Sequence, residues 1–442
     1  MLPGLGRGPR EQRGPQVTKR GPAVGFIFVT LLLDVLGFGL LIPVAPRLVA
    51  QLQGGTESDG AHAYWLLTVT YAAMQFVFAP VLGALSDVVG RRPVLLCSLF
   101  GSGLDYFAMA LSPSLGWLFV TRAINGISGA SMTAASAYIA DVTPPEKRAG
   151  AYGMIGAAFG LGFVLGPLLG GWLGEKNIHL PFYVAGGVTL LNWLFGLLVV
   201  PESLPRERRS KFSLARVNPA ATIPTLARYP LVAKLAVALT LVNIAQFGLH
   251  VTWVLAMTHR FGWTTFQVGL SLFIVGIGAA VVQGGLARKI VPALGERRAL
   301  LVSLVLAIAA FTGYGLATQG WMIYAIVAVA SLGGIGMPAA QSLITRTVRP
   351  DEQGAVQGAL SSLQSGAQIV GPAICGSAFA YFISARAPIL LPGAPFFIGA
   401  GLTLMGLVVA MFALRGAGAA STSASTSAGT SAGAEPAPNS IG

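Results

Sequence analysis

The chain has 442 residues, of which 54% are hydrophobic and only 10% charged, with a formal net charge of +13. So little charge over that length excludes a soluble globular protein with an ordinary surface and points to a polytopic membrane protein. Its two cysteines, Cys97 and Cys375, exclude a disulfide framework, and no metal-ligand spacing occurs, so no metal and no other cofactor is expected.

In chain order, a basic arm over residues 1–21 carries Arg7, Arg10, Arg13, Lys19 and Arg20. The apolar run from Val24 to Ala45 is too long for a signal-peptide core and is read as a retained first span. Apolar runs predict helices at 23–47, 62–84, 92–112, 115–138, 150–173 and 180–200. Each is close to the ~20 residues a helix needs to cross the hydrocarbon core. Residues 201–230 are polar, basic and broken by Pro201, Pro205, Pro219, Pro224 and Pro230, which predicts a cytoplasmic linker. A second series follows at 231–257, 265–287, 298–317, 320–343, 354–382 and 393–414. The tail over 415–442 is rich in Ser, Thr, Ala and Gly and is predicted to be disordered. The expected architecture is an all-α membrane protein of twelve transmembrane helices in two six-helix bundles, residues 22–200 and 231–414.

Charge tests that count independently. Most of the 28 basic residues fall in the arm, the linker and alternate connections, whereas the predicted outer connections hold Arg47, Lys176, Arg260 and Arg386. This is the pattern of a chain in an inner membrane with both termini cytoplasmic, and it accounts for the positive balance through anionic lipid. No aromatic-basic module supports nucleic-acid binding.

Between the second and third predicted spans lies a charged hairpin, Gly83 to Leu96, with Asp87, Gly90, Arg91 and Arg92. Glycines permit a tight turn, Asp87 suits a helix end, and the arginines hold the turn on the cytoplasmic side. Gly284 to Arg298 reads as a degraded copy, and such half-repeats point to a secondary transporter.

Few ionisable groups fall deep inside the predicted spans, and each is a functional candidate because an embedded charge is costly. They are Asp34, Asp105 and Arg122. Asp105 and Arg122 stand at matching distances from the Ser112-Pro113-Ser114 turn, which puts both roughly 12–13 Å below the helix ends, as an ion pair or on one cavity. Gln75, Asn125, Gln246 and Gln283 are uncharged polar candidates for the same cavity or for interhelical hydrogen bonds. The fifth span carries Gly153, Gly162, Gly166, Pro167, Gly170 and Gly171, which predicts a small-residue groove with a bend at the proline.

Together these segments resemble the major facilitator superfamily and, within it, the tetracycline-resistance type of drug:proton antiporter. The resemblance rests on Leu33 to Val44, Gln75 to Leu96, Leu104-Asp105-Tyr106, Arg122 to Gly126, the glycines of the fifth span, Trp253-Val254-Leu255 and Arg260 to Trp263. It implies export of an amphipathic drug, free or as a metal chelate, in exchange for protons. It also implies that Asp34, Asp105 and Arg122 serve drug and proton exchange, with Gln75 near the substrate. Asp87 and Arg91 match the hairpin pair that gates interconversion, and Asp141 with Arg148 fits the charged turn after the fourth span. Where some of these exporters carry a histidine and an aspartate, this chain has Ala279 and Ala307, while Gln283 is retained. A proton-coupled metabolite symporter would share the hairpin, and a non-transporting receptor or scaffold would share the frame. No nucleotide-binding phosphate loop is present, which disfavours an ATP-driven pump.

Overall fold

A computed structural model of the chain describes residues 21–129, 131–143, 148–209, 223–349 and 352–431. Residues 1–20 of the basic arm and 210–222 of the linker lie outside the described residues. The first half contains α1 (Gly21–Leu41), α2 (Ala45–Gln53), α3 (Glu57–Val89), α4 (Arg91–Ala110), α5 (Leu115–Ser128), α6 (Ser131–Val142), α7 (Arg148–Lys176) and α8 (Leu180–Val199). The second contains α9 (Pro230–Phe261), α10 (Thr265–Val281), α11 (Ala287–Leu294), α12 (Glu296–Leu316), α13 (Gly320–Ala330), α14 (Gly336–Thr347), α15 (Gln353–Phe382) and α16 (Ala394–Ser431).

Among the described residues nine helical stretches are long and apolar enough to cross a membrane, and α1 with α2, bent by 43°, makes a tenth. The remaining two passages are α5 with α6, each too short alone, and α15, whose sequence is rich in Ser, Gln and Gly. Helix α15 packs against α9 and against α3 of the other half, where it has helix neighbours on two sides.

Several predicted helices are interrupted, the first and fourth for a local reason. The first predicted span bends at Ile42-Pro43-Val44, where Pro43 has no N–H to continue the ladder. The fourth is not one helix over 115–138: α5 ends at Ser128, and Ser128 Oγ donates back to the carbonyls of Ile124 and Asn125 just before Gly129. The eighth passes through a π-helical turn at Val282–Leu286 between α10 and α11, and the tenth through a 3-10 turn at Ser331–Ile335 between α13 and α14. Helices α3, α5 and α10 start on side-chain caps. Thr56 with Asp59 and Thr264 with Gln267 close capping boxes on α3 and α10, and the Ser114 hydroxyl accepts from the Trp117 amide on α5. The last helix runs to Ser431, into the stretch for which the sequence predicts disorder, although its side chains past Arg415 lie outside the described residues.

Each half has its own apolar core. Ile27, Leu31, Leu95, Leu99 and Tyr138 pack in one cluster of the first half, and Leu40, Val44, Met109, Leu118 and Phe182 in another. The halves meet along two seams, α7 on α10 and α15 on α3. The glycines of α7 explain the first seam. Cβ atoms at Gly162, Gly166 and Gly170 would run into Val35, Gly39 and Leu40 of α1, while one at Gly171 would strike the Thr265 backbone of α10. The spacing therefore lets one helix sit at backbone contact with two neighbours, one from each half. Gly153 belongs to this series in the sequence, but its contacts lie outside the described residues.

Polar contacts between the halves gather at the membrane face opposite the hairpin. Arg47 Nη2 donates to the Trp263 carbonyl at 3.2 Å, Ser58 Oγ to the Ala380 carbonyl at 2.7 Å, and Thr265 Oγ1 to the Gly171 carbonyl at 3.0 Å. Glu57 and His259 form an ion pair there as well. At the hairpin face, by contrast, the described ion pairs stay within one half: Arg91 with Asp87 and Asp141, Arg209 with Glu202, Arg228 with Glu352, and Arg346 with Glu296. The molecule is thus joined at the far face, and no described ion pair joins the halves at the hairpin face.

Candidate functional site

Helices α4 and α5 form a hairpin around the Ser112-Pro113-Ser114 turn, and their facing sides carry the embedded polar groups. Asp105 on α4 and Arg122 on α5 are both buried, at 5% and 9% exposure. They do not form an ion pair within 4 Å among the described residues. Instead Asn125 Nδ2 donates to Asp105 Oδ2 at 2.8 Å, and the Arg122 guanidinium lies over the Tyr71 ring at 5.9 Å from its centroid. A neutral amide on a carboxylate leaves that carboxylate able to change its charge without breaking a permanent salt bridge. The arginine, held on a ring face, stays close enough to act on it through a low-dielectric interior.

Asp34 on α1 joins the same cluster through two tyrosines. Asp34, Asp105 and Arg122 all lie within electrostatic reach of Tyr71 and Tyr106. Tyr106 packs against Gly37 of α1, where a Cβ would sit 3.5 Å from its ring. Gln75 stands one turn from Tyr71 on α3, and its amide donates to Tyr71 Oη and to the Gly129 carbonyl, both at 3.4 Å. The break after α5 therefore presents a backbone carbonyl to a polar side chain at membrane depth, where irregular backbone needs a partner inside the protein. Gly126 allows this approach, since a Cβ there would meet the Tyr71 carbonyl of α3.

The sequence places Asp34, Gln75, Asp105, Arg122 and Asn125 among its candidates, and the fold brings them together. The other two candidates stand in the second half: Gln246 half-buried on α9 and Gln283 exposed in the π-helical turn, outside this hydrogen-bonded cluster. Tyr71 and Tyr106 were not among the candidates, although Tyr106 belongs to a segment that carries the resemblance. The signals were present, since Tyr71 precedes Gln75 by four residues and Tyr106 adjoins Asp105.

The charged hairpin is a second site. Gly90 turns the chain with φ +112°, and Ser86 Oγ donates to the Gly83 carbonyl at 2.7 Å as α3 ends. Arg91 is the hub: it pairs with Asp87 one turn back, donates through Nε to Asp141 Oδ2 at 3.2 Å, and donates through Nη1 to Ser86 Oγ at 2.6 Å. Arg92 Nη2 donates to the Leu197 carbonyl at 2.7 Å, at the end of α8. Arg148, placed with Asp141 in the charged turn after the fourth span, has its side chain outside the described residues. Two partners at the node, the acceptor Glu202 and the donor Ser203, were not anticipated. Glu202 Oε1 accepts the Arg91 amide at 2.9 Å, and Ser203 Oγ reaches Asp141 at 3.2 Å.

The Major Facilitator Superfamily profile matches residues 27–372. The chain belongs to this superfamily. Within it, the chain is 38% identical over 362 residues to a class C tetracycline resistance protein of Escherichia coli, an alignment covering 82% of this chain and 91% of that one. It is 35% identical over 385 residues to a class E tetracycline resistance protein of the same organism, covering 87% and 93% of the two. Among solved structures, the human organic anion transporter MFSD10 aligns with TM-score 0.67 and 27% identity over 89% of this chain and all of the other. The transporter is therefore a multi-pass inner-membrane protein of the proton-coupled drug-efflux type, acting on a small molecule.

Proposed function

We propose that this major facilitator protein exports tetracycline or a similar amphipathic drug across the inner membrane in exchange for protons. The observation that carries the reading is the embedded cluster of Asp34, Asp105, Arg122 and Asn125, which gathers charge where a passive core would exclude it. Relatives named for tetracycline resistance supply the drug class. The hairpin face is cytoplasmic, with both termini, because the basic residues concentrate there. On that assignment the far-face contacts describe an inward-facing transporter, closed toward the outside.

The cycle follows from differential affinity. Drug enters the cavity from the cytoplasmic side while Asp34 and Asp105 are charged, and the halves rock about the α7–α10 and α15–α3 seams. When the cavity opens outward, protons from that side neutralise the carboxylates, weaken the hold on the drug and favour return. Asn125 keeps Asp105 aimed into the cluster through both charge states. Gln246 and Gln283 are the candidates for drug contacts on the second half. Arg91, held between Asp87 and Asp141, acts as the latch that sets the inward/outward balance. A divalent metal carried with the drug belongs to the substrate in this reading.

The test is drug accumulation in cells making the native protein or Asp34→Asn, with and without a collapsed proton gradient. Native protein should lower tetracycline accumulation only while the gradient stands, and Asp34→Asn should abolish that effect. Equal accumulation in every arm contradicts export of the compounds used.

A further inference from the structure

The acidic residue that follows α8 ties the hairpin backbone to the start of the linker. Glu202 Oε1 accepts the backbone amides of Arg91 at 2.9 Å and Arg92 at 3.5 Å, the first residues of α4. It thus does for α4 what an N-cap side chain does, but from more than a hundred residues away, because Gly90 has no side chain with which to cap its own helix. The same oxygen also accepts the amides of Ser203 at 3.0 Å and Leu204 at 3.1 Å, which folds the start of the linker into a tight strap. Its partner oxygen lies beside the Gly90 Cα, so that a Cβ there would fall on the carboxylate.

The strap has two further ties. Tyr138 Oη on α6 donates to the Pro201 carbonyl at 3.0 Å, and Ser203 Oγ reaches the same Asp141 oxygen that Arg91 Nε does. Arg209 stands 3.8 Å from the other Glu202 oxygen, a longer and weaker contact than the amide bonds. We infer that Glu202 is a positioning residue of the transport cycle: by capping α4 from the start of the linker, it fixes where the Arg91 side chain lies between Asp87 and Asp141. The linker that joins the two halves is thereby anchored on the latch itself. This rests on the hairpin being the latch proposed above.

Side-chain length and charge make separable demands here. Capping needs an acceptor oxygen at glutamate's reach, which Glu202→Gln keeps and Glu202→Asp does not, whereas pairing with Arg209 needs the charge, which aspartate keeps and glutamine loses. The experiment places spin labels at Gly116→Cys and Gln319→Cys, on the far-face ends of the two halves, in a Cys97→Ala, Cys375→Ala background. It reads the distance distribution in lipid nanodiscs without drug, alongside the KM and turnover of drug transport. Glu202→Ala and Glu202→Asp should redistribute the distances in the direction Arg91→Ala does and lower turnover by about fivefold or more with KM within about twofold, as expected for a shift in state populations. Glu202→Gln should stay near native in both readouts. An unchanged distribution in Glu202→Asp, or the reverse order with aspartate native-like and glutamine defective, overturns the inference. If Glu202→Ala does not reach the membrane, the aspartate and glutamine pair still decides. The distances require no drug, so failure to transport tetracycline would count against the efflux reading alone.

Discussion

At the scale of single residues, the chemistry turns on which neighbour holds Asp105. Sequence distance from the Ser112-Pro113-Ser114 turn placed Asp105 level with Arg122, but the hydrogen bond comes from Asn125, one turn further along α5. Counting residues fixes depth along a helix and leaves the facing direction to rotamers and helix rotation, so the partner was not legible. Asn125→Ala should therefore impair transport at native KM by freeing the Asp105 carboxylate to turn. The expected size is about tenfold in turnover, in keeping with loss of a hydrogen bond to a charged group, and substrate titration in proteoliposomes checks it. Gly90 is a second case. Its φ of +112° and the carboxylate beside it leave no place for a side chain. Gly90→Ala should cost about 1–3 kcal/mol of backbone strain and should shift the inward/outward balance, read by labelled-cysteine accessibility at the cytoplasmic ends.

At the scale of elements, the apolar runs gave the passages and their order well, because twenty consecutive apolar residues have few other uses. What hydropathy did not give were the interruptions: the break after Ser128, the π turn at Val282–Leu286 and the 3-10 turn at Ser331–Ile335. Those depend on side-chain-to-backbone bonds and on tertiary contacts that composition does not record. The glycines of α7 were legible as a groove but not as a two-sided one, facing α1 with Gly162, Gly166 and Gly170 and α10 with Gly171. Gly166→Leu should push α1 and α7 apart and abolish folded protein, seen as loss of the monodisperse peak in detergent. Capping is a milder lever. Thr264→Ala removes the hydroxyl that accepts the Gln267 amide at the start of α10 and should lower stability by about 1 kcal/mol, measurable as a fall in unfolding midpoint with transport retained.

At the scale of the whole molecule, two half-bundles joined at one face behave as a two-state device. The Glu57–His259 pair at the far face is partly exposed, so it contributes little on its own. At the hairpin face the linker's end is clasped to the second half, where Tyr229 Oη and Arg228 both donate to Glu352. The Tyr229 hydrogen bond first, then that of Arg228, holds the Glu352 carboxyl below its usual range. A folded value below the unfolded one means that the clasp is fully present above the ordinary glutamate range and is lost as pH falls through the lowered value. Tyr229→Phe removes the largest cause, so the clasp should be lost at a higher pH than in the native protein, followed as unfolding midpoint against pH. The hairpin was legible in the charge pattern, with Asp87, Arg91 and Arg92 between two apolar runs. The far-face seal was not, because residues such as Glu57 and His259 lie about two hundred positions apart and meet only through the packing of the two bundles.

In the proposed cycle the embedded carboxylates exchange protons for drug. The direct measurement is tetracycline uptake into inside-out membrane vesicles, energised to an acidic interior, for native protein and Asp105→Asn. Native vesicles should accumulate drug, release it when a protonophore collapses the gradient, and exceed Asp105→Asn by about tenfold or more, as the cost of losing an embedded functional charge. Uptake that persists after the gradient is collapsed, or that Asp105→Asn sustains at the native rate, would contradict the account.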